Sequence, residues 1–177
     1  LPDISTQVSG PIDCNNSTVT LTGTSNTANV TFQWVGSGVN SNLPNIIASQ
    51  AGSYELTITA PNGCTNTETV TVVENLDLPD ISTQVSGTID CNNSTVTLTG
   101  TSNTANVTFQ WTGPGVNSNL QNTTTNQSGI YTLTVTSSNG CFSSETITVL
   151  ENIALPNISA EVQGVLDCNN STVTLTG

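Results

Sequence analysis

The chain contains no lysine, no arginine, no histidine and no methionine, against 12 aspartates and glutamates, for a formal net charge of −12. Without cations nothing neutralises phosphates, which excludes nucleic-acid binding as a main role. The same lack excludes side-chain salt bridges, a polybasic membrane patch, a P-loop lysine and an arginine finger. Without histidine there is no Ser-His-Asp or Cys-His machinery and no imidazole metal site. Long apolar runs are missing as well: no stretch approaches the roughly 18 residues that suggest a membrane span, so direct membrane insertion is not expected. The opening Leu1-Pro2-Asp3-Ile4-Ser5 is no basic-then-apolar signal peptide. A leader already removed, or a chain that is an excerpt, is the expectation.

What is present is threonine, asparagine and serine, at 33, 23 and 20 residues of 177. Apolar residues make up 34% and aromatics 4%, lean for a core but above the level of a disordered chain. The apolar residues are mainly β-branched, and threonine favours strands too. Composition points to small all-β domains with polar outer faces.

The chain repeats itself. LPDISTQVSG at residue 1 returns at 78, and LPNISAEVQG follows at 155. Aligned without gaps, residues 1–77 and 78–154 are identical at 56 of 77 positions. The 77-residue unit is longer than a solenoid repeat and large enough to fold as its own domain. Three segments are expected: a first repeat at 1–77, a second at 78–154, and the first two strands of a third at 155–177. Within a repeat the period is two. Val19 and Leu21 alternate with threonines, Phe32 and Trp34 alternate with Thr31 and Gln33, and Tyr54 and Leu56 alternate with Glu55 and Thr57. These six residues, with Trp111 and Tyr131 of the second repeat, form the expected core. Gly- and Pro-rich turns separate the runs and no 3.6-residue period appears.

Val19-Thr20-Leu21-Thr22-Gly23, Trp34 eleven residues on, and Gly52-Ser53-Tyr54-Glu55-Leu56 together resemble an immunoglobulin sandwich. They match its B strand, its C-strand tryptophan and its F-strand tyrosine corner. The whole repeat, with TFQW, GSYELTITAPNGC and ETVTVVE, resembles the tandem Ig-like or PKD-like modules of Bacteroidota surface adhesins and extracellular filament proteins. The resemblance implies all-β, tandem immunoglobulin-like β-sandwich domains. Gly23 and Leu56 stand where the family carries its B- and F-strand cysteines. Here the cysteines precede strand B, as Cys14, Cys91 and Cys168, or follow strand F, as Cys64 and Cys141. Paired recurrence and secreted character point to disulfides, and no cation is present to activate a catalytic thiol. Two pairings stay open: Cys14–Cys64 with Cys91–Cys141 inside each repeat, or Cys14–Cys141 between adjacent repeats. The parallel B and F strands that the resemblance implies place Cys14 and Cys64 at opposite ends of one domain.

Glu74, Asp77 and Asp80 cluster at the first junction and form a weak candidate calcium site. The second junction keeps Glu151 but has Ala154 and Asn157 in place of the aspartates. Asp13, Asp90 and Asp167 each precede a cysteine and suit turn capping. Asn-x-Ser/Thr triplets begin at Asn29, Asn106, Asn122 and elsewhere, as a chain this rich in threonine and asparagine produces by chance. No cofactor and no enzymatic activity are expected. The expected role is structural: an extracellular, disulfide-stabilised shaft of a surface filament or adhesin, associating with neighbouring repeats. The alternative is a glycan- or surface-binding module using the loops near Trp34 and between Gly36 and Asn42.

Overall fold

The structure is a computed structural model that describes residues 1–177. It holds twenty strands and no helix. The first nine are β1 (Ser5–Val8), β2 (Ile12–Asp13), β3 (Val19–Thr24), β4 (Thr31–Gly36), β5 (Val39–Ser41), β6 (Asn45–Ala48), β7 (Gly52–Thr59), β8 (Thr65–Val72) and β9 (Glu74–Asn75). One sheet has the order β1-β3-β6 and the other β5-β4-β7-β8, all antiparallel. A short parallel pairing of β2 with β9 aligns Ile12 with Glu74 and Asp13 with Asn75. This is the two-layered, immunoglobulin-like arrangement.

The second nine strands reproduce it: β10 (Ser82–Val85), β11 (Ile89–Asp90), β12 (Val96–Thr101), β13 (Thr108–Gly113), β14 (Val116–Ser118), β15 (Asn122–Thr125), β16 (Gly129–Thr136), β17 (Phe142–Val149) and β18 (Glu151–Asn152). Register repeats as well, with Ser5 opposite Thr24 in the first sheet and Ser82 opposite Thr101 in its copy.

Alternation decides what lies between the layers. Val19 and Leu21 point inward from β3 while Thr20 stays exposed, because successive side chains leave a strand on opposite faces. Trp34, Tyr54, Leu56 and Ile58 complete the centre of the first core, and Trp111, Tyr131, Leu133 and Val135 the centre of the second. Each such fully buried aliphatic side chain contributes about 1.5–3 kcal/mol relative to exposure. Phe32 departs from the expected core: it is only half-buried and packs against the cluster from its edge, beside a shallow groove with Gln33, Asn42 and Thr57.

Where the immunoglobulin family places a disulfide, this chain packs glycine against leucine. A methyl group built on Gly100 would stand 2.5 Å from Leu133 Cδ2, and one on Gly23 would overlap Leu56 in the same way. The bare glycine is what lets the leucine fill the space between the sheets.

Polar groups inside the sandwich find partners, as burial demands. Trp34 Nε1 donates to Pro44 O at 3.2 Å and Trp111 Nε1 to Gln121 O at 3.1 Å. Tyr54 donates its hydroxyl to Gln50 O at 2.8 Å, four residues back, as a tyrosine corner does. The start of β1 is held by Asp3, whose carboxylate accepts the backbone N–H groups of Asn26 and Thr27 at 2.9 Å and the Thr27 hydroxyl at 2.9 Å. Asp80 makes the same contacts to Asn103 and Thr104.

Residues 155–177 form only the hairpin β19 (Glu161–Gln163) and β20 (Thr174–Thr176). Val162 faces Leu175 in the register that Val8 keeps with Leu21. Leu175 is nevertheless 74% exposed where Leu21 is 0%, because no second sheet covers it.

Candidate functional site

The site with the most specific chemistry is the joint between the two complete repeats. Its first half is the turn after β2. Asp13 Oδ1 accepts the backbone N–H groups of Asn15 at 3.0 Å and Asn16 at 2.7 Å, an Asx turn that presents Cys14. Asp90 and Asp167 cap their own turns identically, through Asn92 and Asn93 and through Asn169 and Asn170. The N–H of Asn92, and after it that of Asn93, hold the Asp90 carboxyl below its usual value. Pairing of β2 with β9 brings the Cys14 turn beside Asn75 and so to the end where the chain leaves the first repeat.

The second half is the turn between β16 and β17, Ser137-Ser138-Asn139-Gly140-Cys141. Ser137 N donates to Cys141 O and Gly140 N to Ser137 O, both at 2.9 Å. Gly140 has φ of +78°, left-handed backbone for which glycine carries no steric penalty. A side chain there would also strike Asn15. Ser143 Oγ donates to Pro79 O at 2.6 Å, so this hairpin lies at the end where the chain enters the second repeat.

The two turns meet covalently. Cys14 and Cys141 form a disulfide with a Cα–Cα distance of 5.0 Å across 127 residues of sequence. Beside it, Cys14 N donates to Asn139 O at 3.1 Å. The Asn139 side chain, 9% exposed, ties the turn to the linker. Its amide nitrogen donates to Asn75 Oδ1 and to Asp77 O, each at 3.0 Å. Its oxygen accepts from Cys141 N at 3.0 Å and from the Ser137 hydroxyl. One buried amide is thus fully satisfied by both repeats, and losing it would strand several polar groups at once.

Of the two open pairings, the inter-repeat one is formed. The pairs Cys14–Cys64 and Cys91–Cys141 are not: Cys64, Cys91 and Cys168 are free and exposed. The cause is distance. Cys64 follows the eight-residue strand β7 at the entry end of its repeat, where Asn66 Nδ2 donates to Pro2 O, and Cys14 lies at the exit end. Such a strand spans about 26 Å, whereas bridged Cα atoms lie within about 7 Å.

Glu74, Asp77 and Asp80 are not brought together, and no group of three acidic or thiol side chains is placed to hold a metal. Glu74 lies in β9, Asp77 offers its carbonyl to Asn139, and Asp80 spends both carboxylate oxygens on the loop of residues 102–104. Donation by Asn103 N–H, the largest influence, and then by the Thr104 hydroxyl holds the Asp80 carboxyl well below its usual range; Asn26 and Thr27 do the same for Asp3. Trp34, near the loop proposed for glycan contact, is wholly buried and offers no face to a sugar. Glu68 and Glu145, equivalent inward positions, each keep one buried carboxylate oxygen without a donor. Asn75 and Asn139 were not singled out from sequence. Their signal was the recurring Asn-Gly-Cys of residues 62–64 and 139–141, which reads as an ordinary turn.

No protein-family profile matches the chain, and no curated protein sequence does. Among solved structures it is similar to murine CEACAM1b, at 14% identity and TM-score 0.41, over 86% of this chain and all of that one. It is similar to the amphioxus IgVJ-C2 molecule, at 12% identity and TM-score 0.36, over 84% and 96%. It is also similar to the fibronectin(III)-like modules of Clostridium thermocellum CbhA, at 10% identity and TM-score 0.37, over 88% and 98%. The fold assignment itself rests on the strand order and register above.

Proposed function

We propose that the protein is a non-enzymatic, extracellular structural element, the shaft of a surface filament or adhesin, in which the joint fixes one Ig-like repeat against the next. The observation that carries this reading is the position of the disulfide. A bridge inside a sandwich stabilises one domain, but Cys14–Cys141 ties the exit of one repeat to the entry of the next. Asn139 reinforces that lock through the linker. Repetition supplies length and the joint supplies stiffness, since adjacent domains otherwise move relative to one another by default. A disulfide suits an oxidising compartment. The uniform negative charge suits a long exposed fibre, which stays soluble through self-repulsion. Lacking lysine, the chain gains its covalent strength from sulfur and not from isopeptide bonds.

Small-angle X-ray scattering of the chain before and after reduction tests the reading. Reduction is expected to broaden the distribution of inter-repeat distances while each sandwich stays folded. An unchanged distribution removes the stiffening role. A glycan array is expected to stay silent; saturable binding lost on changing residues 36–42 replaces the shaft by the adhesive module.

A further inference from the structure

We propose that Cys64 and Cys91 are the two open halves of a second joint of the same kind, closed when Cys91 of one copy of this chain bonds Cys64 of another. The inference deepens the shaft reading and rests on it. Its ground is that the chain contains the joint once in closed form and once as separated halves, with the same Asp-Cys-Asn-Asn and Asn-Gly-Cys residues in the same turn geometry.

Consider the exit half. Asp90-Cys91-Asn92-Asn93 repeats Asp13-Cys14-Asn15-Asn16 without change. Its turn is already set, with Asp90 Oδ1 accepting Asn92 N at 2.8 Å and Asn93 N at 2.7 Å, and Asp90 N donating to Asn93 O at 2.9 Å. The parallel pairing of β11 with β18 places Asp90 opposite Asn152, as Asp13 stands opposite Asn75. Asn152 is the counterpart of the acceptor that Asn139 uses. Asp77 becomes Ala154, but that contact uses a backbone carbonyl, which any residue supplies.

The entry half is equally prepared. In Ala60-Pro61-Asn62-Gly63-Cys64, Ala60 N donates to Cys64 O and Gly63 N to Ala60 O, both at 2.9 Å, matching the closed turn. Gly63 has φ of +83° beside +78° for Gly140. Asn62 Oδ1 accepts Cys64 N at 3.1 Å, as Asn139 Oδ1 accepts Cys141 N. Two differences separate the turns. Ala60 stands where Ser137 donates its hydroxyl to Asn139 Oδ1. The amide nitrogen of Asn139 is bonded to a neighbouring linker, while that of exposed Asn62 has no protein partner. Both thiols are exposed. Cys64 sits at the entry end of the first repeat and Cys91 at the exit end of the second, so the halves face away from one another in one chain and meet only between chains.

Closure forms one Sγ–Sγ bond and breaks two S–H bonds. The two electrons and two protons pass to a low-molecular-weight disulfide of the glutathione class, whose own S–S bond is cleaved to two thiols. Between separate chains no linker holds the halves together, so closure depends on protein concentration, unlike the intramolecular Cys14–Cys141 bond.

The test uses the full chain carrying Cys168→Ser, equilibrated in a glutathione redox buffer and resolved without reductant. A ladder of oligomers joined by Cys64–Cys91 peptides is expected. Adding Cys64→Ser or Cys91→Ser is expected to leave monomer, and mixing those two variants is expected to give dimer and nothing larger. Asn62→Ala, which keeps every thiol, is expected to lower oligomer about tenfold, the value of roughly 1.4 kcal/mol of lost amide bonding. Monomer alone in the parent, dimers of either cysteine variant by itself, or a ladder indifferent to Asn62→Ala overturns the proposal. The Cys14–Cys141 peptide is read in the same digest. Its presence without a ladder sinks this inference only; its absence sinks the shaft reading.

Discussion

The two complete repeats agree at 56 of 77 positions and still fill one region of their cores by different chemistry. In β6, Ile46 and Ala48 point inward and are buried. In β15 the same positions are Thr123 and Thr125. Thr125 is 5% exposed and its Oγ1 lies 2.6 Å from the Tyr131 hydroxyl. Tyr131 also lies 2.8 Å from Gln127 O and 3.0 Å from Pro114 O, so its one proton serves these carbonyls and its oxygen accepts from Thr125. The difference teaches that an inward position can change from apolar to polar where a partner already waits. The tyrosine corner, present in both repeats, is the partner. Ile47, which points outward, becomes Thr124 with no such requirement.

The comparison can be broken most forcefully at its common part. Leu56→Ala and Leu133→Ala should cost each repeat about 3 kcal/mol, measured by urea unfolding, because each opens a cavity between the sheets. Gly23→Ala alone should cost about 1–3 kcal/mol through overpacking. In the double variant with Leu56→Ala the new methyl occupies vacated space, so the combined loss should fall below the sum. Simple addition would mean the glycine and leucine do not share that space.

A sharper cut separates the repeats. Tyr131→Phe leaves the buried Thr125 hydroxyl with the Gln127 N–H as donor but no acceptor for its own proton, and should cost about 2 kcal/mol. Tyr54→Phe loses a single bond to Gln50 and should cost about 1 kcal/mol. Equal losses would show that the threonine contact carries no weight. Thr125→Ala installs the residue of the first repeat and should cost about 1 kcal/mol or less, since Tyr131 keeps its carbonyl acceptor.

The smallest effect concerns acid. Asp3 and Asp80 titrate below the usual 3.8 because backbone and hydroxyl donors favour their charged forms. A depressed folded value contributes stability that is complete above the unfolded value and lost as pH falls through the folded one. Asp3→Asn with Asp80→Asn should therefore flatten the decline of melting temperature below about pH 4 and lower the plateau above it. The third copy carries Asn157 at this position. An acid limb of unchanged slope would contradict the role given to these carboxylates.

The sandwich was legible because its signals are local. Alternation in Ser17-Thr18-Val19-Thr20-Leu21-Thr22, the Trp34 spacing and the tyrosine corner each fix a strand and its inward face. The Asx turns at Asp13, Asp90 and Asp167 were legible for the same reason. Phe32 was misjudged because alternation reports which face a residue points to and not whether the sheet above it extends far enough to cover it. The hairpin of residues 155–177 makes the same point: its register is native-like while Leu175 stays in solvent. The joint was half legible. Cysteine recurrence pointed to disulfides. The parallel B and F strands implied by the immunoglobulin resemblance raised the inter-repeat pairing beside the intra-repeat one, but choosing between them requires knowing how far apart the two ends of a strand lie. Asn139 was hidden because its partners, Asn75 and Asp77, are more than sixty residues away and nothing local marks an asparagine that will be buried by a neighbouring repeat.

The most direct check is a disulfide map of the unreduced monomer. Trypsin has no site, so the digest uses proteases that cut at aspartate and glutamate. A linked peptide pair containing Cys14 and Cys141 is predicted, with Cys64, Cys91 and Cys168 open to alkylation. A peptide joining Cys14 to Cys64, or Cys91 to Cys141, would place the bridges inside single repeats and contradict the locked joint.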